Sequence, residues 1–190
     1  ISSYTHHPFY SQFVLEVPDN WMWHSMYNLP MGEMMEVLDA CIEAGHPVAW
    51  GTDVSEKGFS RAKAIAVIPE VVEKNTIGSD AEHWGKLTDA EKRAMINSLA
   101  GPMKEKTITQ QMRQEAYDNY QTTDDHGMVI VGTATDQAGN PFYKVQNSWG
   151  DNGPYKGFYY FSRPFVEYKT MDIMVNKNLI PKDIKKKMGL

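Results

Sequence analysis

His126-Gly127-Met128-Val129-Ile130-Val131-Gly132-Thr133-Ala134-Thr135 leads through Asp136-Gln137-Ala138-Gly139-Asn140-Pro141 into Phe142-Tyr143-Lys144-Val145-Gln146-Asn147-Ser148-Trp149-Gly150, and the fold turns on this stretch. Met128–Thr135 is apolar and β-branched, as a half-buried strand requires. Residues 136–141 have the composition of a turn. Phe142–Gln146 reads as the returning strand. In a hairpin the start of one strand lies beside the end of its partner. His126 and Asn147 are therefore expected to be neighbours in space.

The rest of the chain reads outward from this hairpin. Phe158–Phe161 and Met171–Val175 are two further predicted strands, and the Lys-rich segment from Lys177 to Leu190 reads as a polar tail. Upstream, residues 1–10 read as an extended start broken at Pro8. Residues 11–17 alternate as a strand that ends at Pro18. Trp21 to Asn28, dense in Met and aromatics, is expected to pack against the core.

The clearest helix covers residues 31–44. Met31, Met34, Met35, Leu38, Cys41 and Ile42 fall on one face, and Gly45 stops it. Pro47–Val54 reads as a buried strand. A loop-rich stretch follows to about Gly85, with a short strand at Ala64–Ile68. Thr88-Asp89-Ala90-Glu91 is a capping box that opens a helix. Thr107–Gln110 opens another, with Ile108, Met112, Ala116 and Tyr120 four apart. A helix, a strand, a helical insertion and an antiparallel run make an α+β pattern.

At 190 residues one domain is the default, and 42% hydrophobic residues suffice for a packed core. A net charge of −5 gives no bulk attraction to nucleic acid. No apolar run reaches the length of a membrane span, and no signal peptide is visible. The chain begins at Ile1 without an initiator Met, so a preceding segment is expected to have been removed. One cysteine permits no internal disulfide.

The residue types at the hairpin mouth suit acyl transfer. An imidazole can take a proton from a thiol and return it to a leaving amine. An Asn oxygen can hold the other ring nitrogen, and a Trp beside it can keep water off that bond. For Trp149, packing alone is an equally simple role. Cys41 is on the apolar stripe of its helix, where a thiol is inert. Asp124 and Asp125 either favour the imidazolium or form a solvated loop. His6-His7 is a poor metal pair, because adjacent side chains on an extended segment point opposite ways. His24, His46 and His83 are isolated. The Lys182…Lys185-Lys186-Lys187 run either touches nucleic acid or is a solvated tail, the reading preferred here.

The segments CIEAGHPVAWGTDV, DDHGMVIVGTATDQAGNPFYKVQNSWGDNGPYKGFYYFS and MDIMVNKNLIP resemble the papain superfamily, in the branch of bleomycin hydrolase and aminopeptidase C. The resemblance covers most of the chain and is weakest across residues 55–105. It implies a papain-like cysteine proteinase fold, of which residues 1–190 form the C-terminal, right-hand half: an antiparallel β-barrel-like unit with a helical insertion. It implies that His126 and Asn147 are the catalytic histidine and asparagine, with Trp149 supporting. The nucleophilic Cys and the oxyanion Gln would belong to an N-terminal half upstream of Ile1.

Gly127 stands where the family usually has Ala. Leu190 corresponds to the C-terminal residue that reaches the active cleft in this branch. The implied activity is a cysteine-type aminopeptidase hydrolysing peptides with a free N-terminus, inactive in this chain alone. No metal or cofactor is expected. The implied assembly is a hexamer, and the implied location is cytoplasmic, with an exported form open. A papain-fold binding or scaffold protein without a nucleophile is the alternative, and an acyl-transferring enzyme on the same triad is a second.

Overall fold

Alternating inward and outward side chains along residues 126–135 build the middle of the molecule. The computed structural model describes residues 1–70 and 87–190. Its elements run β1 (Gln12–Val14), β2 (Ser25–Tyr27), α1 (Met31–Glu43), β3 (Val48–Thr52), β4 (Phe59–Ser60) and β5 (Ile65–Ala66). Then come α2 (Asp89–Ser98), α3 (Gln110–Asp118), β6 (His126–Thr135), β7 (Pro141–Gln146), β8 (Phe158–Ser162), α4 (Arg163–Lys169) and β9 (Thr170–Met174). A 3-10 turn (Lys177–Leu179) and α5 (Lys182–Lys187) close the chain.

Among the described residues seven strands form one sheet in the order β4-β5-β8-β7-β6-β3-β9. Every pairing is antiparallel except the short β5–β8 contact. The expected α+β architecture is present. The expected barrel-like unit is an open sheet with β4 and β9 at the edges, not a closed barrel. The predicted helical insertion is α2 and α3, between β5 and β6.

The core sits where α1 covers the sheet. Met34, Met35, Leu38 and Cys41 meet Val48, Trp50, Ile130, Val145 and Phe161. Each such side chain contributes roughly 1.5–3 kcal/mol by leaving water. Gly45, at φ +78°, ends α1, with His46 N–H on Cys41 O (2.9 Å) and Gly45 N–H on Ile42 O (3.0 Å). This paired closure needs a left-handed residue at that position. The Thr88 capping box forms as predicted.

Several sequence expectations differ from the structure. The strand predicted over 11–17 shrinks to β1, and Trp21, Met22 and Trp23 do not reach the core: Trp21 is 76% and Trp23 64% exposed. The Asn20 side chain shapes this tip instead, donating to Leu15 O and His24 O and accepting from His24 N. The ribbon itself buries Phe13 with Tyr4, Leu15 and Met171, whereas Trp21–Trp23 lie in the turn between its strands, outside that cluster. Tyr120, expected on the α3 stripe, is exposed and lies beyond the end of the helix.

The Lys-rich tail is not merely solvated. Ile180, Ile184 and Met188, four residues apart, are buried in the main core, and Lys187 Nζ contacts Glu33 Oε1 at 2.7 Å. β4 and α4 had no counterpart in the sequence reading. Residues 71–86, which include His83 and much of the predicted loop-rich stretch, lie outside the described residues.

Candidate active site

The hairpin brings its two ends together. β6 and β7 pair through Val129↔Gln146 and Ile130↔Val145, and a register shift between Ile130 and Gly132 accommodates Val131. His126 opens β6 opposite Thr52 of β3, and Asn147 follows β7 directly. His126 Nε2 lies 2.8 Å from Asn147 Oδ1. An amide oxygen only accepts, so Nε2 carries the proton and the neutral ring keeps Nδ1 as its basic nitrogen.

Asn147 is only 5% exposed, and its Nδ2 is buried without a protein partner. Its backbone is fixed as well, with Asn147 N–H donating to Gly157 O at 3.0 Å. Gly157 sits at φ +84°, and a Cβ there would lie 2.4 Å from Gly150 O. Both the left-handed backbone and the close approach exclude a side chain. Gly157 therefore shapes the loop that carries Asn147 and Trp149.

Trp149 covers the pair. Its ring centroid is 4.6 Å from that of His126 and tilted by 39°. Phe59 and Tyr159 pack on the same indole at 6.0 and 6.1 Å, and the Arg61 guanidinium lies 4.2 Å over it. Trp149 thus both packs in the core and stacks on the imidazole.

Two cavities flank the site. One, of about 300 Å³, is bounded by His126, Gly127 and Gly51 together with Asp19, Asp124 and Asp172. The other, of about 510 Å³, reaches Asn147 and Ser148 from the outer sheet face beside Val129 and Met174. Burial, and then the neighbouring Asp172, Asp19 and Asp125 carboxylates, push Asp124 up to about 7. Near neutral pH Asp124 is therefore a weak source of negative charge for the imidazole. Asp125 is also shifted up, chiefly by burial, and its Oδ1 accepts from Val54 N–H at 3.0 Å. Asp124 is thus half-buried in the approach to His126, whereas Asp125 stays exposed while accepting from Val54 N–H.

The remaining candidates lie elsewhere. Cys41 is fully enclosed in the α1 core, and burial pushes its thiol up. His6 and His7 stand in a turn, not an extended segment, so their rings approach to 4.7 Å. His6 stacks on Tyr117, and its Nδ1 meets Gln114 Nε2 at 3.0 Å. Among the described residues no group of three His, Cys, Asp or Glu is placed to hold a metal ion, and no helix is long and apolar enough to cross a membrane. His24 and His46 are exposed. Leu190 is not among the residues bordering the two flanking cavities. Arg61 and Gly157 were not singled out in the sequence. Gly157 lies within the segment that carries the family resemblance, and nothing local marked Arg61.

The model of the Peptidase C1-like family matches residues 102–189. Aminopeptidase C of Streptococcus thermophilus is 24% identical over 155 residues, covering 80% of this chain and 28% of that protein. Aminopeptidase C of Lactococcus lactis subsp. cremoris is 36% identical over 59 residues, 30% of this chain and 14% of that one. The crystal structure of PepW from Lactobacillus rhamnosis HN001 superposes with a TM-score of 0.63 at 16% identity, covering 98% of this chain and 36% of that chain. The chain thus spans less than a third of the curated relatives it matches. Over residues 102–189 the sequence is similar to the Peptidase C1-like family, the relatives it resembles are aminopeptidases C, and nearly the whole chain shares its fold with PepW.

Proposed function

We propose that this chain supplies the proton-transfer half of a cysteine-type aminopeptidase. The observation that carries the proposal is the 2.8 Å contact between His126 Nε2 and Asn147 Oδ1 beneath the Trp149 ring. A thiolate from a half outside these residues attacks the carbonyl carbon of the N-terminal peptide bond. His126 Nδ1, protonated by the departing thiol proton, passes that proton to the leaving amine as the C–N bond breaks. The ring then takes a proton from water, whose oxygen attacks the thioester, and the proton returns to the sulfur. Asn147 holds the ring in the tautomer this exchange needs, and Trp149 excludes water from their hydrogen bond.

Peptides with a free N-terminus are the proposed substrates. The proposed partner is the nucleophile-bearing half, within a hexamer located in the cytoplasm. Enclosure of the Cys41 thiol supports the further proposal that the 190-residue chain alone is inactive.

Two experiments test the proposal. In the coding sequence upstream of Ile1, a Gln followed by a Cys-Trp at a helix start is expected. Its absence would leave the papain-fold binding or scaffold role. In the complete protein, His126→Ala is expected to lower kcat/KM by about 10²–10⁴-fold and Asn147→Ala by about 10²-fold. Thiol-dependent turnover by the 190-residue chain, abolished by Cys41→Ser, would contradict both the divided site and the inert thiol.

A further inference from the structure

Lys169, the last residue of α4, is 1% exposed, although a buried ammonium is costly to desolvate. Its surroundings show what the charge holds. Nζ donates to Gln121 O at 2.6 Å and to Thr122 Oγ1 at 3.1 Å. It also faces Glu56 Oε2 at 3.3 Å and Asp53 Oδ2 at 3.7 Å. Asp53 is itself fully buried, and the same Oδ2 accepts from Thr123 N–H at 2.9 Å. Asp125 N–H reaches Thr52 O at 3.4 Å. Residues 121, 122, 123 and 125 are thus each tied to Lys169 or to the end of β3.

The backbone of Lys169 serves the opposite side of the same junction. Its carbonyl accepts from Thr52 Oγ1 at 2.9 Å and from Asp53 N–H at 3.2 Å. Thr52 is the register partner of His126. One residue therefore fixes both the strand beside His126 and the segment that leads into it. An apolar side chain of the same length would fill the space but could not gather those carbonyl, hydroxyl and carboxylate oxygens.

We infer that Lys169 is a positioning residue for His126: its ammonium pins residues 121–125, and through them the placement of the imidazole against Asn147. The inference rests on the proposed role of the His126–Asn147 pair. Lys169 touches neither ring nor substrate and acts through the main chain, whereas Asn147 acts on the ring itself. A hydrogen bond as directional as the His126–Asn147 contact weakens steeply when its donor moves or tilts.

The test is the imidazole tautomer of His126, read by long-range proton–nitrogen NMR in the 190-residue chain. Wild type is expected to hold the Nε2–H form. Lys169→Met is expected to raise the Nδ1–H population about fivefold, the equivalent of losing one net hydrogen bond. Far-UV circular dichroism and the exposed His46 are expected to stay unchanged. Thr122→Val, which removes one ammonium acceptor and no charge, is expected to shift the ratio in the same direction by less. It carries the test if Lys169→Met does not fold.

A wild-type tautomer in folded Lys169→Met, or in Thr122→Val where that variant alone folds, would overturn the inference. Asn147→Ala separates the two ideas. An unchanged ring in that variant would sink the reading of the pair itself, whatever Lys169 does.

Discussion

Two carboxylates join loops to the sheet at opposite ends of the molecule, and they are solved differently. Asp53, at the end of β3, is fully buried, accepts from Ser55 and Thr123 N–H, and faces the Lys169 ammonium. Glu105, on the far side, accepts at one oxygen from Ile68 N–H and Ser162 Oγ, both neutral donors and both at 2.6 Å. Burial pushes Glu105 up to about 7. The junction beside His126 thus has an ion pair, while the remote one has an acid that gains a proton near neutral pH. The fixed counter-charge thus stands at the junction that leads into His126, and the junction that joins structural segments only has none.

Breaking the paired junction should cost most. Asp53→Ala leaves the Lys169 ammonium buried with only Glu56 opposite, and a loss of about 3–5 kcal/mol is expected from urea unfolding at pH 7. A loss below about 1 kcal/mol would mean the pair holds nothing together.

The unpaired junction should show itself through pH. A carboxyl whose folded pKa is raised binds protons more tightly when folded. Its contribution is therefore complete below the ordinary carboxyl range and is lost as pH rises through about 7. Wild type is expected to lose up to about 3 kcal/mol between pH 4 and pH 8 from Glu105, and Glu105→Gln to remove most of that slope. Parallel pH profiles for the two proteins would contradict this account.

Ser162→Ala sharpens the contrast at smaller scale. Its hydroxyl donates to Glu105 and caps α4 at Phe165 N–H, so a loss of about 1–2 kcal/mol in thermal or urea unfolding is expected. Trp21→Ser, at an exposed tip with neither kind of junction, should stay within about 0.5 kcal/mol by the same measurement. A larger loss would mean that tip is covered.

What could be read beforehand was what the chain encodes locally. The β6–β7 hairpin, the α1 stripe ending at Gly45 and the Thr88 cap each rest on residues within a few turns of one another. The meeting of His126 and Asn147 followed from the hairpin alone. The Lys169 junction had no such signature. Thr52 and Lys169 are 117 residues apart, and only β3 pairing with both β6 and β9 joins them.

Two errors came from trusting composition over spacing. Lysine content hid the four-residue repeat of Ile180, Ile184 and Met188 that docks the tail. Aromatic content suggested burial for Trp21–Trp23, which lie in the turn between β1 and β2 and outside the cluster that buries Phe13. His6 and His7 failed for a third reason, since a local turn replaced the extended backbone on which their divergence depended.

The central claim is that the meeting of His126 and Asn147 sets the imidazole up as a proton relay, and it can be measured directly in the ring nitrogens of His126 in the unmodified chain near pH 8. The account predicts a protonated Nε2 hydrogen-bonded to Asn147 and a bare Nδ1, with that signature lost in Asn147→Ala. A proton resting on Nδ1 in the wild type, or a spectrum indifferent to Asn147, would contradict it.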